Sequence, residues 1–234
     1  VTVEIVSEIP GAFNHSVNLF PDEAYSLDIS SDAVVIRALN ATGVIRAAQT
    51  LRQLAEGYEE GSAAFECLQL SDWPAFKVRG FMHDVGRSFL SFDELKREID
   101  NLSRFKVNVF HWHLTEKLAW RFEVKAYPQL TAAENMTRYV GQFYTQDQCR
   151  ELVDYAAERG VTVIPEIDMP GHSAAFKTAM GFDMQSDEGV AALKVVLDEV
   201  AEVFADAPYI HIGGDEVTIT YPNFLQTMAD YVRG

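Results

Sequence analysis

Thr145-Gln-Asp-Gln-Cys-Arg-Glu-Leu-Val-Asp-Tyr-Ala-Ala-Glu-Arg-Gly-Val-Thr-Val-Ile-Pro-Glu-Ile-Asp168 is the stretch on which the fold turns. Thr145 and Gln148 stand at the spacing of a capping box, in which each side chain satisfies a backbone donor left free at a helix start. Cys149, Leu152, Val153 and Ala156 then recur at the helical period, which predicts a helix with one buried face. Gly160 stops it, as glycine commonly does at a helix C-terminus. Residues 161–167 follow as a short apolar strand, and the strand finishes among carboxylates, Glu166 and Asp168.

The same rhythm extends in both directions. Upstream, a strand over 78–84 leads to a second capping box, Ser91-Phe-Asp-Glu94, and to a helix whose stripe is Leu95, Ile99, Leu102 and Phe105. A strand over 107–113 comes next, then a long excursion before Thr145. Downstream, a helix from about 190 to 204 buries Leu193, Val196, Leu197 and Val200, and residues 209–214 read as a fourth strand. Strand and helix in alternation specify an α/β fold with a parallel sheet, and four βα units make a partial (β/α)8 TIM-type barrel. A closed barrel of this kind takes roughly 250 residues, so these units amount to its first half.

Pro74 lacks a backbone donor and restricts Trp73, so regular structure breaks there. The expected domains are therefore 1–73 and 74–234. In the first, Tyr25, Leu27 and Ile29 alternate as in a half-buried strand, and the opening residues 1–6 and the run 33–36 also read as strands. Val44, Ala47, Ala48, Leu51 and Leu54 share a helix face, with Gly57 as the stop, which gives a small α+β domain.

The 234 residues carry a net charge of −16, with 35 acidic against 19 basic side chains, and this repels nucleic acid and anionic membrane surfaces. A neutral or cationic ligand is expected instead. No apolar run reaches the ~20 residues that cross a bilayer. Cys67 and Cys149 lie far apart and fit neither a disulfide framework nor a metal-ligand spacing. No cofactor is expected.

Ionisable residues gather where the strands end: His83 and Asp84, His111 and His113, Glu166 and Asp168, then His211, Asp215 and Glu216. In βα barrels the C-terminal strand ends build the active site. Gly213 and Gly214 remove side-chain bulk and break strict alternation, so that Asp215 and Glu216 can address one pocket from adjacent positions. An alternative set is also present: His111 and His113 on one strand face, with His172, His211 and Asp215, have the donors to hold a divalent metal in a barrel hydrolase.

His211-Ile-Gly-Gly-Asp-Glu216, Pro170-Gly-His172 and Arg79-Gly-Phe-Met-His-Asp-Val-Gly-Arg87 together resemble the β-N-acetylhexosaminidases of glycoside hydrolase family 20. The resemblance extends to His111-Trp-His-Leu-Thr-Glu116, to Trp120-Arg121, and to Gly43 and Arg46-Ala-Ala-Gln-Thr-Leu-Arg-Gln-Leu54 in the accessory module. It implies retaining hydrolysis of terminal β-linked N-acetylhexosamine, in which the sugar's own acetamido oxygen attacks the anomeric carbon. Glu216 is then the general acid and base, and must hold a proton near neutral pH, a state favoured by the adjacent charge of Asp215. Asp215 orients the acetamido group. Arg87 grips sugar hydroxyls, and His172, Glu116, Asp168 and His113 form the supporting network. Many relatives carry two aspartates where this chain has Glu116-Lys117.

The expected partner is an oligosaccharide or glycoconjugate bearing N-acetylhexosamine, and the resemblance favours a periplasmic or secreted location. A half-barrel exposes strand edges and apolar faces, so little turnover is expected of the chain alone, and pairing into a homo-oligomer is one expected way to cover them. A non-catalytic glycan-binding or scaffold role is the rival expectation.

Overall fold

Residues 1–9, 21–56 and 64–234 are described by a computed structural model, and they fall into two units. The first comprises Val1–Arg79 with Asp100–Asn108 and Arg159–Val161; the second comprises Gly80–Ile99, Val109–Glu158 and Thr162–Gly234.

In the first unit the alternating residues form a four-stranded sheet from β1 (Thr2–Ile5), β2 (Tyr25–Ile29), β3 (Val34–Ala38) and β4 (Leu68–Asp72), in the order β1-β3-β2-β4. The β1–β3 pair is parallel and the others antiparallel. Tyr25, Leu27, Ile36 and Ala38 bury against Ala47 of α1 (Ala41–Leu54), whose start is capped by the Asn40 side chain accepting from the Thr42 and Gly43 backbone.

The buried face of α1 differs from the expected stripe. Ala48 and Leu54 are exposed, while Arg46 and Gln49 are buried. The reason is pairing: Arg46 donates to Glu23 at 2.5 Å, and Gln49 to the Ser103 hydroxyl at 2.8 Å, so polar side chains with partners take the inward positions. Gly57, the expected stop, lies outside the described residues.

The second unit is built on a parallel sheet, β5 (Gly80–Asp84), β6 (Val109–His113) and β9 (Thr162–Glu166), in the order β5-β6-β9. Between β5 and β6 runs α2 (Phe92–Arg104), started by the Ser91–Glu94 box with both reciprocal bonds formed, at 2.8 and 3.3 Å. Leu95 and Ile99 are fully buried. Phe105 is not part of that stripe: it is 74% exposed, because the helix ends at Arg104 and Lys106 turns the chain at φ 57°.

The excursion after β6 holds the short hairpin β7 (Thr115–Glu116) and β8 (Ala119–Trp120) and leads to α3 (Gln146–Ala157), which opens on the full Thr145–Gln148 capping box. Beyond β9 come α4 (Ala174–Met180), α5 (Asp187–Val203), with Leu193, Val196, Leu197 and Val200 buried, and α6 (Phe224–Arg233).

The expected fourth strand is reduced to one parallel bridge, Glu166 with His211, held by His211 N–H to the Pro165 carbonyl at 2.9 Å and Ile167 N–H to the His211 carbonyl at 3.1 Å. One further backbone bond, Met169 N–H to the Ile212 carbonyl at 3.1 Å, follows, and pairing ends because Gly213 and Gly214 take φ of 66° and 115°, outside the strand region. Trp112 and Trp120 are core residues at 0% and 1% exposure. Phe81 and Met82 of β5, and Tyr209 before the bridge, are exposed.

Candidate active site

The glycine turn after His211 sets the site. At Gly213 the backbone is left-handed, and a Cβ would lie 1.8 Å from Oδ1 of Asp168, so no other residue fits. The space reserved by glycine is thus filled by a protein carboxylate. Asp168 accepts from Gly214 N–H at 3.3 Å, and its own N–H donates to the Thr115 hydroxyl at 3.0 Å. Burial, together with the Asp215 charge, holds the Asp168 carboxyl above its ordinary range despite the Gly214 bond.

Asp215 and Glu216 follow at once, and Glu216 is itself left-handed at φ 50°, an uncommon state for a residue with a side chain. That turn brings both carboxylates to the same imidazole. His172 Nε2 lies 3.4 Å from Glu216 Oε2 and 3.7 Å from Asp215 Oδ2. On the other side of the ring, Nδ1 lies 2.8 Å from Oε1 of Glu116. Glu116 is buried, and its second oxygen accepts from the Lys117 N–H at 2.6 Å.

Arg87 projects from the loop after β5. Asp84 holds it at both ends, accepting from the Arg87 backbone N–H at 2.9 Å and from Nη1 at 2.7 Å. Nη2 contacts Oε1 of Glu116 and lies 3.3 Å from Nδ1 of His172. The loop approaches Glu116 this closely because residue 86 is glycine: a Cβ there would sit 2.4 Å from that of Glu116. The sequence signal for this grip is the Asp-x-x-Arg spacing of Asp84 and Arg87.

A second cluster lies alongside. Glu166 takes His111 Nε2 at 2.6 Å and His113 Nδ1 at 2.7 Å on one oxygen, and His211 Nδ1 at 3.0 Å on the other. Burial alone would raise the Glu166 carboxyl, but hydrogen bonds from the three imidazoles outweigh it and hold the group far below the usual carboxylate range. Burial likewise opposes charge on His113, yet the bond to Glu166 raises it above the ordinary imidazole value; the same bond is the main cause of the rise at His211.

Asp84, Arg87, His113, Glu116, Asp168, His172 and Asp215 line one cavity of about 290 Å³, with the Glu166 cluster in its wall. Nε2 of His113 and Oδ2 of Asp168 are buried without a hydrogen-bond partner among the described residues. The alternative metal set does not come together as one group. Its members divide among three clusters, His111 with Glu166 and His211, His113 with Asp84 and Glu116, and His172 with Asp168 and Asp215, each with donor atoms near enough to hold an ion. His83 turns away toward Glu98 at 3.2 Å.

Acidic side chains and imidazoles thus gather at the C-terminal ends of parallel strands, around a carboxylate pair on a glycine turn, where βα-barrel enzymes build their active sites. Residues 76–229 match the model of the glycosyl hydrolase family 20 catalytic domain, and residues 6–73 that of domain 2 of the same family. A β-hexosaminidase of Porphyromonas gingivalis is 40% identical over 228 residues, covering 83% of this chain and 29% of the relative. Among solved structures, the β-N-acetylhexosaminidase of Bacteroides fragilis superposes with a TM-score of 0.82 at 38% identity, over 92% of this chain and 50% of that one. A mutant Streptomyces plicatus β-hexosaminidase in complex with its product GlcNAc gives 0.80 at 30% identity, again over 92% and 50%. The chain belongs to glycoside hydrolase family 20. It spans half or less of the length of these three proteins.

Proposed function

We propose that the chain carries the catalytic carboxylates of an enzyme that releases terminal β-linked N-acetylhexosamine with retention of configuration. The observation that carries this is the alignment of Glu116, His172 and Glu216 through opposite nitrogens of one ring, with Asp215 beside Glu216.

In the first step Glu216 gives its proton to the glycosidic oxygen as the C1–O bond breaks, while the substrate's acetamido oxygen bonds to C1 and forms an oxazolinium ion. Asp215 accepts from the acetamido N–H and balances the positive charge that develops there. In the second step Glu216 takes a proton from water, the water oxygen attacks C1, and the acetamido group is restored. Arg87, a planar fork held by Asp84, is placed to donate to sugar hydroxyls.

Asp215 and Glu216 have side chains 68% and 77% exposed, and general acid catalysis of this kind draws on desolvation and positioning. Little turnover is therefore expected of the 234 residues alone. The test is release of p-nitrophenol from its β-N-acetylglucosaminide by the chain joined to the remaining barrel half of the Bacteroides fragilis relative. Glu216→Gln is expected to lower kcat by about 10²–10⁴-fold, the range for losing a general acid. Undiminished turnover in that variant would remove Glu216 from the mechanism.

A further inference from the structure

Nδ1 of His172 has two competing neighbours: Oε1 of Glu116 at 2.8 Å, which can only accept a proton, and Nη2 of Arg87 at 3.3 Å, which can only donate one. A single ring nitrogen cannot serve both. Either Nδ1 carries the proton and donates to Glu116, leaving a lone pair on Nε2, or Nδ1 accepts from Arg87 and the proton sits on Nε2. Nε2 faces Glu216 at 3.4 Å, so the choice reaches the carboxyl group. With a bare Nε2, Glu216 satisfies the ring by holding a proton and donating it; with Nε2–H, Glu216 accepts and is ionised.

We propose that Arg87 and Glu116 form a tautomer switch on His172, in which sugar bound to Arg87 places the proton on Glu216. In the empty site Nη2 of Arg87 occupies Nδ1, Oε2 of Glu116 accepts from the Lys117 N–H, and Oε1 of Glu116 keeps an ionic contact with Arg87 but no aligned hydrogen bond. Sugar hydroxyls draw the Arg87 fork away. Nδ1 then takes a proton from solvent and donates to Glu116, while the Nε2 proton passes to Oε2 of Glu216. The acid is loaded when a leaving group is present and unloaded when the site empties. Glu116 is a positioning residue in this scheme, since it acts only through His172. Its length serves the switch: a glutamate reaches both the arginine and the ring, with its Cβ lodged against Gly86.

The sugar's role rests on the proposed function, but the switch can be read without turnover. Nitrogen-15 NMR of the histidine-labelled 234-residue chain, assigned with His172→Gln, reports which ring nitrogen is protonated. The free chain is expected to show Nε2–H, and Arg87→Met to show Nδ1–H. Adding Glu116→Met, which offers no acceptor oxygen, to Arg87→Met should return the proton to Nε2, a non-additive response that requires the pair. Should the buried Glu116→Met change prevent folding, Glu116→Ala, which also removes the acceptor, is expected to do the same. A His172 tautomer unmoved by Arg87→Met overturns the switch. Turnover lost from the completed barrel while the tautomer still responds would instead fault the proposed function.

Discussion

Arg121 shows how one side chain can hold a loop at the rim of a cavity. It is fully buried, and its donors reach five backbone carbonyls: Val85 at 3.1 Å, Gly86 at 3.3 Å, Arg138 at 2.7 Å, Tyr139 at 2.9 Å and Gln142 at 2.6 Å. Burial pushes its guanidinium down to about 10, which leaves it charged at any working pH. Two of those carbonyls immediately precede Arg87, so the cation fixes the loop that presents that arginine to the cavity. Arg121→Met keeps most of the volume but leaves the carbonyls without donors; the expected cost is about 3–5 kcal/mol, the scale for breaking a buried charged network, read as a lower melting temperature. Gly213→Ala acts at the same scale. Its methyl would displace the Asp168 carboxylate, and the left-handed backbone adds about 1–2 kcal/mol, so both stability and turnover should fall. A melt within experimental error of the parent would show that the turn relaxes freely.

Elements were legible in the sequence where their signals are local. Both capping boxes formed as spaced, because a hydroxyl and a carboxyl or amide three residues apart need only the first helical turn to meet. Ser91→Ala should therefore cost about 1 kcal/mol in a denaturant titration, and a change near zero would mean that packing of Leu95 and Ile99 alone sets the start of α2. Strand ends were legible as well, since a carboxylate or imidazole closing an apolar run is itself the signal, and His113, Glu116, Asp168, His172 and Asp215 line one cavity. What stayed hidden depends on distant partners. The inward turn of Arg46 needs Glu23, the contact of Arg87 with Glu116 needs Gly86 opposite it, and the fourth strand shrinks to one bridge because its glycines answer to Asp168. Periodicity places a residue on a face; it does not say which polar side chain will find a counter-ion there.

At the scale of the whole molecule, the Glu166 cluster joins three of the four parallel segments, since His111 and His113 come from β6, Glu166 from β9 and His211 from the segment beyond. Its titration should therefore be felt in global stability. Glu166 is held below its ordinary value, so its contribution is present above the unfolded carboxylate value of about 4.3 and is lost as pH falls through the folded one. His113 and His211 are raised, so theirs is fully present below the unfolded imidazole value of about 6.5 and is lost as pH climbs through the folded values. The two conditions overlap between roughly pH 4.3 and 6.5, where the cluster stabilises most. Above that window His113 and His211 lose their charge, and the ion pairs with Glu166 give way to weaker bonds from neutral N–H groups. Urea titrations at pH 5.5, 7 and 8.5 should accordingly show the midpoint falling as pH rises. Glu166→Gln should lower the unfolding free energy most at pH 5.5, by about 1.5–3 kcal/mol on the scale of charged hydrogen bonds, and flatten the pH slope above it. A slope that survives Glu166→Gln would place the pH sensitivity in other groups, and a midpoint that rises with pH would reverse the sign assigned to His113 and His211.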